Sequence, residues 1–391
     1  MFGDASVPAG PADAPLSLRD RALDLRDRIF ASAGFRRFAI AFPLTRFVAR
    51  RRARALFDLV AGFVYSQTLH ACVSLDLFEL LARGPRRADD LADLCRMPLE
   101  SMQRLLNAAV ALDLLQPRSG DRFGLGPLGA ALRGSPGVAA MVAHHAGFYA
   151  DLADPVTLLR EGPQATHMSA YWPYARGAKS DESPEESAQT YSNLMSASQR
   201  MVSEEILAHR PFDGRKRLLD VGGGDGTFAR AVAQACPDLA VSMCDLPDVA
   251  ALARRKVAAQ GPEARINVLE CDFKSQCLPV GADVISLVRV LHDHDDPVVA
   301  NLLKSAWCAL PEGGRIIIAE PMSQARNAEP VGDAYFGFYL FAMGSGRPRR
   351  PGEIAAMLSA AGFSDISAPK ARMPLIASLI TATKRVDDKR N

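Results

Sequence analysis

A chain of 391 residues that is 48% hydrophobic has enough apolar material for a full α/β core and a second domain besides. Its 46 basic residues nearly balance its 44 acidic ones, so the net charge of +2 excludes a protein that gathers polyanions through a global field. Seven cysteines, odd in number and without a CxxC pair, exclude a disulfide framework and read as reduced core thiols in a cytosolic protein.

Residues 1–15, rich in Pro, Ala and Gly, predict a disordered lead without the charged and apolar regions of a secretory signal. Basicity is local, because residues 1–60 hold eleven Arg and no Lys against six Asp. Between positions 28 and 57, eight Arg and no acid interleave with Phe30, Phe35, Phe38, Ile40, Phe42, Phe47 and Val48. That mixture suits anionic lipid headgroups; it equally suits a helix packed on one side and solvated on the other, and Pro43 interrupts a single amphipathic helix. Residues 1–54 are therefore read as an Arg-rich arm with a potential for peripheral membrane contact. The uncharged stretch 59–75 holds Ser, Gln, Thr and His and is too short to span a bilayer.

Residues 55–135 carry helical periodicity, with Ser74 expected to cap a short helix bearing Leu75, Phe78 and Leu81, and a longer helix from Leu99 to about Leu115. The following DRFGLGPLGAALR suits a two-stranded wing, so this region is winged-helix-like. A DNA-binding version needs a basic recognition helix. Here Met102, Leu105, Leu106, Ala109, Val110, Leu112 and Leu114 surround the single cation Arg104, which argues against nucleic acid and for burial against a second subunit in a homodimer. Residues 136–210 are expected to be helical with aromatic interruptions, bridging to a domain at 211–391.

From position 217, β-rich runs at 217–221, 240–245, 265–271, 282–290 and 315–320 alternate with helical ones, which predicts a doubly wound, mostly parallel sheet. Runs at 364–373 and 375–383 follow with no helix between them and add an antiparallel edge hairpin, for seven strands in all.

In such a sheet the ligand sits beyond the carboxyl ends of the strands. The first strand runs into LLDVGGGDGTF, where Gly222, Gly224 and Gly226 let the backbone approach a ligand and Thr227 stands where a dinucleotide GxGxxG would need its last glycine. Asp220 before the turn suits an ammonium group, as on an amino-acid-bearing cofactor. Asp245 ends the second strand, where a carboxylate can take ribose hydroxyls, and Asp272 with Phe273 after the third offers an acceptor and a ring face for adenine. The fourth strand enters SLVRVLHDHDDP. His292 there is placed to take a proton from an alcohol, and Glu320, ending the fifth strand, to fix the imidazole's tautomer. Asp293, His294, Asp295 and Asp296 could chelate a divalent ion, but Asp295–Asp296–Pro297 also reads as a loop into a helix, and no metal is expected. Among the aromatics of 329–347, Phe336, Tyr339 and Met343 are candidate walls of an apolar pocket.

LLDVGGGDGTF, CDLPDV, CDF, LVRVLHDHDDP and LPEGGRIIIAE, in this order, resemble the plant-type O-methyltransferase family over about residues 55–385. The resemblance implies S-adenosylmethionine as cofactor, a helical dimerisation domain, His292 as general base, Glu320 as helper acid, and Met195 in YSNLMSASQR as a pocket wall. It implies a small hydroxylated apolar acceptor. The arm, the motif wording and the aromatic lining are most similar to the branch that methylates the tertiary 1-hydroxyl of acyclic carotenoids; a phenol or polyketide acceptor is the alternative. Two departures stand out. Pro348 occupies the place of a second helper acid, and Val288 that of a lysine that helps hold the cofactor, leaving Arg289 beside it to do so.

Overall fold

The computed structural model describes residues 17–164, 166–171, 198–259, 266–373, 375 and 377–385. The proposed lead at 1–15 and Met195 lie outside them. Three helices open the chain: α1 (Leu18–Ala31), α2 (Ala33–Ala41) and α3 (Pro43–Ser74). Ser17 and Ser32 cap the first two, their hydroxyls accepting from the Asp20 and Phe35 amides at 3.2 and 3.1 Å. Pro43 separates α2 from α3 by taking the first turn of α3, where its fixed φ fits and its missing N–H would have had no partner.

α3 corrects two expectations. It runs unbroken through 32 residues, so Ser74 is its last residue and caps nothing; the next helix, Leu77–Ala82, starts after Asp76 in a left-handed conformation. The polar residues that made 59–75 look short are absorbed by the helix itself. The Ser66 and Thr68 hydroxyls fold back onto the Phe63 and Val64 carbonyls at 3.0 and 2.9 Å. Among the described residues α3 is the one helix long and apolar enough to cross a membrane by length and composition.

Helices Leu77–Ala82, Ala88–Leu94, Leu99–Ala111 and Pro127–Arg133 surround a small sheet of β1 (Arg86–Arg87), β2 (Leu115–Arg118) and β3 (Arg122–Leu125), in the order β1-β3-β2. The wing thus gains a third, two-residue strand, and the 99–115 helix stops at Ala111. Cys72, Leu77, Leu91, Met102 and Leu106 form this module's core. Helix Pro136–Asp151 leads from it to the second half and packs against α3.

The large sheet holds β4 (Arg217–Val221), β5 (Ala240–Asp245), β6 (Ile266–Glu270), β7 (Val284–Val288), β8 (Arg315–Glu320), β9 (Phe363–Ser367) and β10 (Ser378–Lys384), ordered β6-β5-β4-β7-β8-β10-β9. The first five are parallel. β10 runs antiparallel between β8 and β9, as the edge hairpin requires, although β9 ends at Ser367 rather than 373. Alternate residues feed two cores: Leu218, Val284 and Ile317 pack with Phe228 on one face, Leu219, Ile285 and Ile316 with Leu302 on the other. Strand order reverses at β4 beside β7, and the crevice lies there.

Candidate active site

The crevice begins where β4 gives way to the helix Thr227–Ala235. Gly222, Gly224 and Gly226 all hold left-handed φ values of 68°, 59° and 81°, which other residues seldom adopt. A Cβ on Gly223 would lie 2.9 Å from Asp220 Oδ2, so the turn presses backbone against that carboxylate. Asp220 Oδ1 accepts from Ser286 Oγ of β7 at 2.6 Å, while Oδ2 is buried without a partner. Burial raises this carboxyl to about 7.

Asp245 stands at the tip of β5, its Oδ2 and Oδ1 accepting from the Gly224 and Leu246 amides, both at 2.8 Å. Burial raises it to about 6, against the pull of those two donors. Asp272 also serves its own turn, accepting from the Lys274 amide at 3.0 Å and the Ser275 hydroxyl at 2.8 Å. Phe273 meets the His294 ring edge-on at 5.3 Å. Sequence reasoning missed Asp225, a buried acid inside the glycine turn that caps Thr227 and pairs with Lys256 at 2.7 Å.

β7 ends at Val288 because Arg289 turns to φ 58°, earlier than the predicted 290. The Arg289 guanidinium donates to Ser198 Oγ at 2.7 Å, and its charge bears on His292, Asp293 and Tyr335.

His292 sits in the single tight turn Leu291–Asp293, 3% exposed, under the Phe336 ring at 5.9 Å and 28°. Its imidazole is held well below its ordinary pKa by burial first, then by Arg289, His294 and Arg349, so it stays neutral and able to accept a proton. Glu320 contacts it differently from the expectation. The carboxylate Oε2 accepts from the His292 backbone N–H at 3.1 Å, which fixes the turn and leaves Nδ1 of His292 and Oε1 of Glu320 without hydrogen bonds. Burial raises Glu320 to about 8. Asp293, weighed in the sequence only as a metal ligand, lies with Oδ1 3.3 Å from His292 Nε2 and is itself raised to about 7 by burial. Among the described residues the buried side-chain atoms lacking a partner are Asp220 Oδ2, His292 Nδ1 and Glu320 Oε1, all at this crevice.

The acids after His294 are occupied elsewhere. Asp295 Oδ1 accepts from the Gly346 amide at 3.1 Å, and Asp296 pairs with Arg347 and Arg349.

Residues Pro330–Phe336 form a wide π-type turn that continues as the helix Gly337–Met343. Phe336 reaches His292. Tyr339 and Met343, the other two candidate walls, are buried in a cluster with Phe148, Leu158 and Met168. Helix Pro136–Asp151 supplies two residues the sequence reading left unused: His144 Nε2 lies 3.0 Å from the Tyr339 hydroxyl and His145 Nε2 2.7 Å from that of Tyr335. Burial lowers both, His145 to about 4, so the pair meets the two tyrosine hydroxyls uncharged. The adjacent histidines carry no spacing signal in the sequence, since their partners lie 195 and 190 positions away.

Residues 149–364 match the model of an O-methyltransferase domain, and residues 57–134 that of an O-methyltransferase dimerisation domain. The chain is 42% identical to a demethylspheroidene O-methyltransferase of Cereibacter sphaeroides, covering 92% of this chain and 94% of that one. It is 41% identical to a protein of the same name from Rhodobacter capsulatus, over 88% and 85% of the two chains. The crystal structure of the S-adenosylmethionine-dependent methyltransferase SibL in its apo form superimposes with a TM-score of 0.70 at 27% identity, covering 85% of this chain and 99% of that one.

Proposed function

Because the chain belongs to the O-methyltransferase family, we propose that it moves the methyl group of S-adenosylmethionine onto the 1-hydroxyl of an acyclic carotenoid of the demethylspheroidene type. The near-full-length similarity to two demethylspheroidene O-methyltransferases supports the acceptor. The observation that carries the chemistry is a buried, neutral His292 beneath an aromatic ring at the rim of the crevice.

The residues present fit the cofactor. Asp220 Oδ2, buried and unpaired beside a glycine turn too tight for side chains, suits the ammonium of the methionine part, which would hold that carboxyl ionised. Asp245, fixed by two amides, suits the ribose hydroxyls, and Asp272 with Phe273 the adenine side. When bound, S-adenosylmethionine supplies a sulfonium methyl group open to attack by oxygen. The protein then has to place the acceptor hydroxyl in line and take its proton, the first by walls such as Phe336 and the second at His292. An aliphatic alcohol is far less acidic than a phenol, so placement carries more of the rate here.

The arm supports a membrane-borne acceptor. α1 buries no residue and α2 only Ala39, while Phe38, Ile40, Phe42, Leu44 and Phe47 lie exposed among arginines. We read it as the peripheral contact of a cytoplasmic homodimer with an anionic membrane surface. The test is incubation of the full chain with labelled S-adenosylmethionine and vesicles carrying a hydroxylated acyclic carotenoid. A one-methyl mass gain is expected; equal kcat/KM on a soluble phenol overturns the acceptor, and transfer to neither overturns the reaction. Unchanged vesicle binding after removal of residues 1–54 overturns the docking role.

A further inference from the structure

The largest fully buried side chain among the described residues is a charged one, Arg349, at 0% exposure. A buried guanidinium is stable only where its donors are met, and here they are met by the turn that carries the base. Nη1 donates to the Leu291 carbonyl and Nη2 to that of His294, both at 2.7 Å, one on each side of His292. Nε and Nη2 grip Asp296 Oδ1 at 2.9 and 2.6 Å, where the next helix starts.

The rest of the same loop closes on the same turn. Ser345 Oγ donates to the Asp293 carbonyl at 2.9 Å, and the Gly346 amide to Asp295 at 3.1 Å. Gly346, at φ 76°, runs so close that a Cβ there would lie 2.0 Å from the His292 carbonyl oxygen. Arg347 holds the other oxygen of Asp296 at 3.0 Å, and the Arg349 carbonyl accepts from the Ser323 amide at 3.0 Å, which ties the loop to the segment after β8. This is the loop in which Pro348 replaces a helper acid.

We infer that Arg349 is a positioning residue for the base: it grips the backbone on both sides of His292, opposite Glu320, and sets where the imidazole stands. Two backbone grips hold the turn, from Glu320 on β8 and from Arg349 on the 344–350 loop, and both act on its backbone. Lysine cannot reproduce this, since one ammonium cannot span two carbonyls and a carboxylate in a fixed fork. The guanidinium charge also disfavours protonation of His292, after burial and the charges of Arg289 and His294.

The inference rests on His292 being the base. Undiminished turnover by His292→Ala would sink that reading alone, whereas the clamp is tested on the full chain by Arg349→Lys. Expected are a fall in kcat of about tenfold or more with S-adenosylmethionine affinity within about twofold and faster amide hydrogen exchange at 291–294. Parent-level kcat, or a loss matched by an equal loss of folded protein with exchange unmoved, overturns it. Should the lysine variant not fold, Asp296→Asn loosens the guanidinium from its half-exposed anchor. A loss of about threefold or more in kcat with faster exchange then sustains the clamp, and unchanged kcat and exchange overturn it.

Discussion

The catalytic crevice and the N-terminal arm satisfy their charges in opposite ways. In the crevice several charged groups are answered from within the chain, Arg349 by two carbonyls and Asp296, Asp245 by two amides, Asp225 by Lys256, and one oxygen each of Asp220 and Glu320 is left buried and open. α1 and α2 instead bury only Ala39, and their aromatics stack on one another, as in the Phe30–Phe35 and Phe38–Phe42 pairs, with Arg52 of α3 over Phe30. A region that answers its own charges is built to hold geometry, and one that leaves apolar rings and cations outward is built to meet something else.

The sharpest break in that contrast comes from the crevice. His292→Ala should cost about 10²- to 10⁴-fold in kcat while S-adenosylmethionine binding, read by calorimetry, stays near the parent value. Next, Asp220→Asn removes the carboxylate proposed to meet the cofactor's ammonium. Affinity should fall about tenfold to a hundredfold with vesicle binding unchanged; equal affinity would detach Asp220 from the cofactor. On the arm, exchanging Phe38, Phe42 and Phe47 for Ser should weaken binding to anionic vesicles about tenfold, with Tm and turnover of a detergent-dispersed acceptor unaltered. A drop in Tm instead would mean that these rings stabilise the fold.

The smallest expected effect concerns pH. Burial raises Glu320 from 4.5 to about 8. A carboxyl whose folded value lies above its unfolded one contributes stability that is complete below the unfolded value and is lost as pH rises through the folded one. Glu320→Gln, which keeps an oxygen for the His292 amide and cannot ionise, should therefore gain a few degrees in Tm over the parent between about pH 5 and pH 8.5. A constant Tm difference across that range would place the carboxyl's titration elsewhere.

The β-rich runs and the glycine turn were readable because strands buried on both faces are continuous apolar runs and because Gly222, Gly224 and Gly226 mark a left-handed backbone that other residues seldom adopt. His292 was readable from its place at a strand end. Its support was not. Nothing local says that Glu320 reaches a backbone amide 28 positions away, or that Arg349 turns inward from a loop reading GRPRRPGE, where four charges and two prolines suggest solvent. Helix α3 differs for the opposite reason: Ser74 reads as the cap of the next helix and the uncharged stretch as ending at 75, whereas one helix runs through from Pro43 and bonds the Ser66 and Thr68 hydroxyls to its own carbonyls.

That unbroken helix has a mechanical consequence. Thirty-two residues make a rod about 48 Å long, and its far end lies against the Pro136–Asp151 helix, where His70 meets Tyr149 edge-on at 6.2 Å. The latter helix carries the histidines that hold the pocket's tyrosines. Anything that fixes the heading of the arm therefore also bears on the helix that holds Tyr335 and Tyr339. Enzyme resting on a surface would approach a long, thin acceptor at one set inclination, whereas enzyme free in solution would tumble past it at every angle.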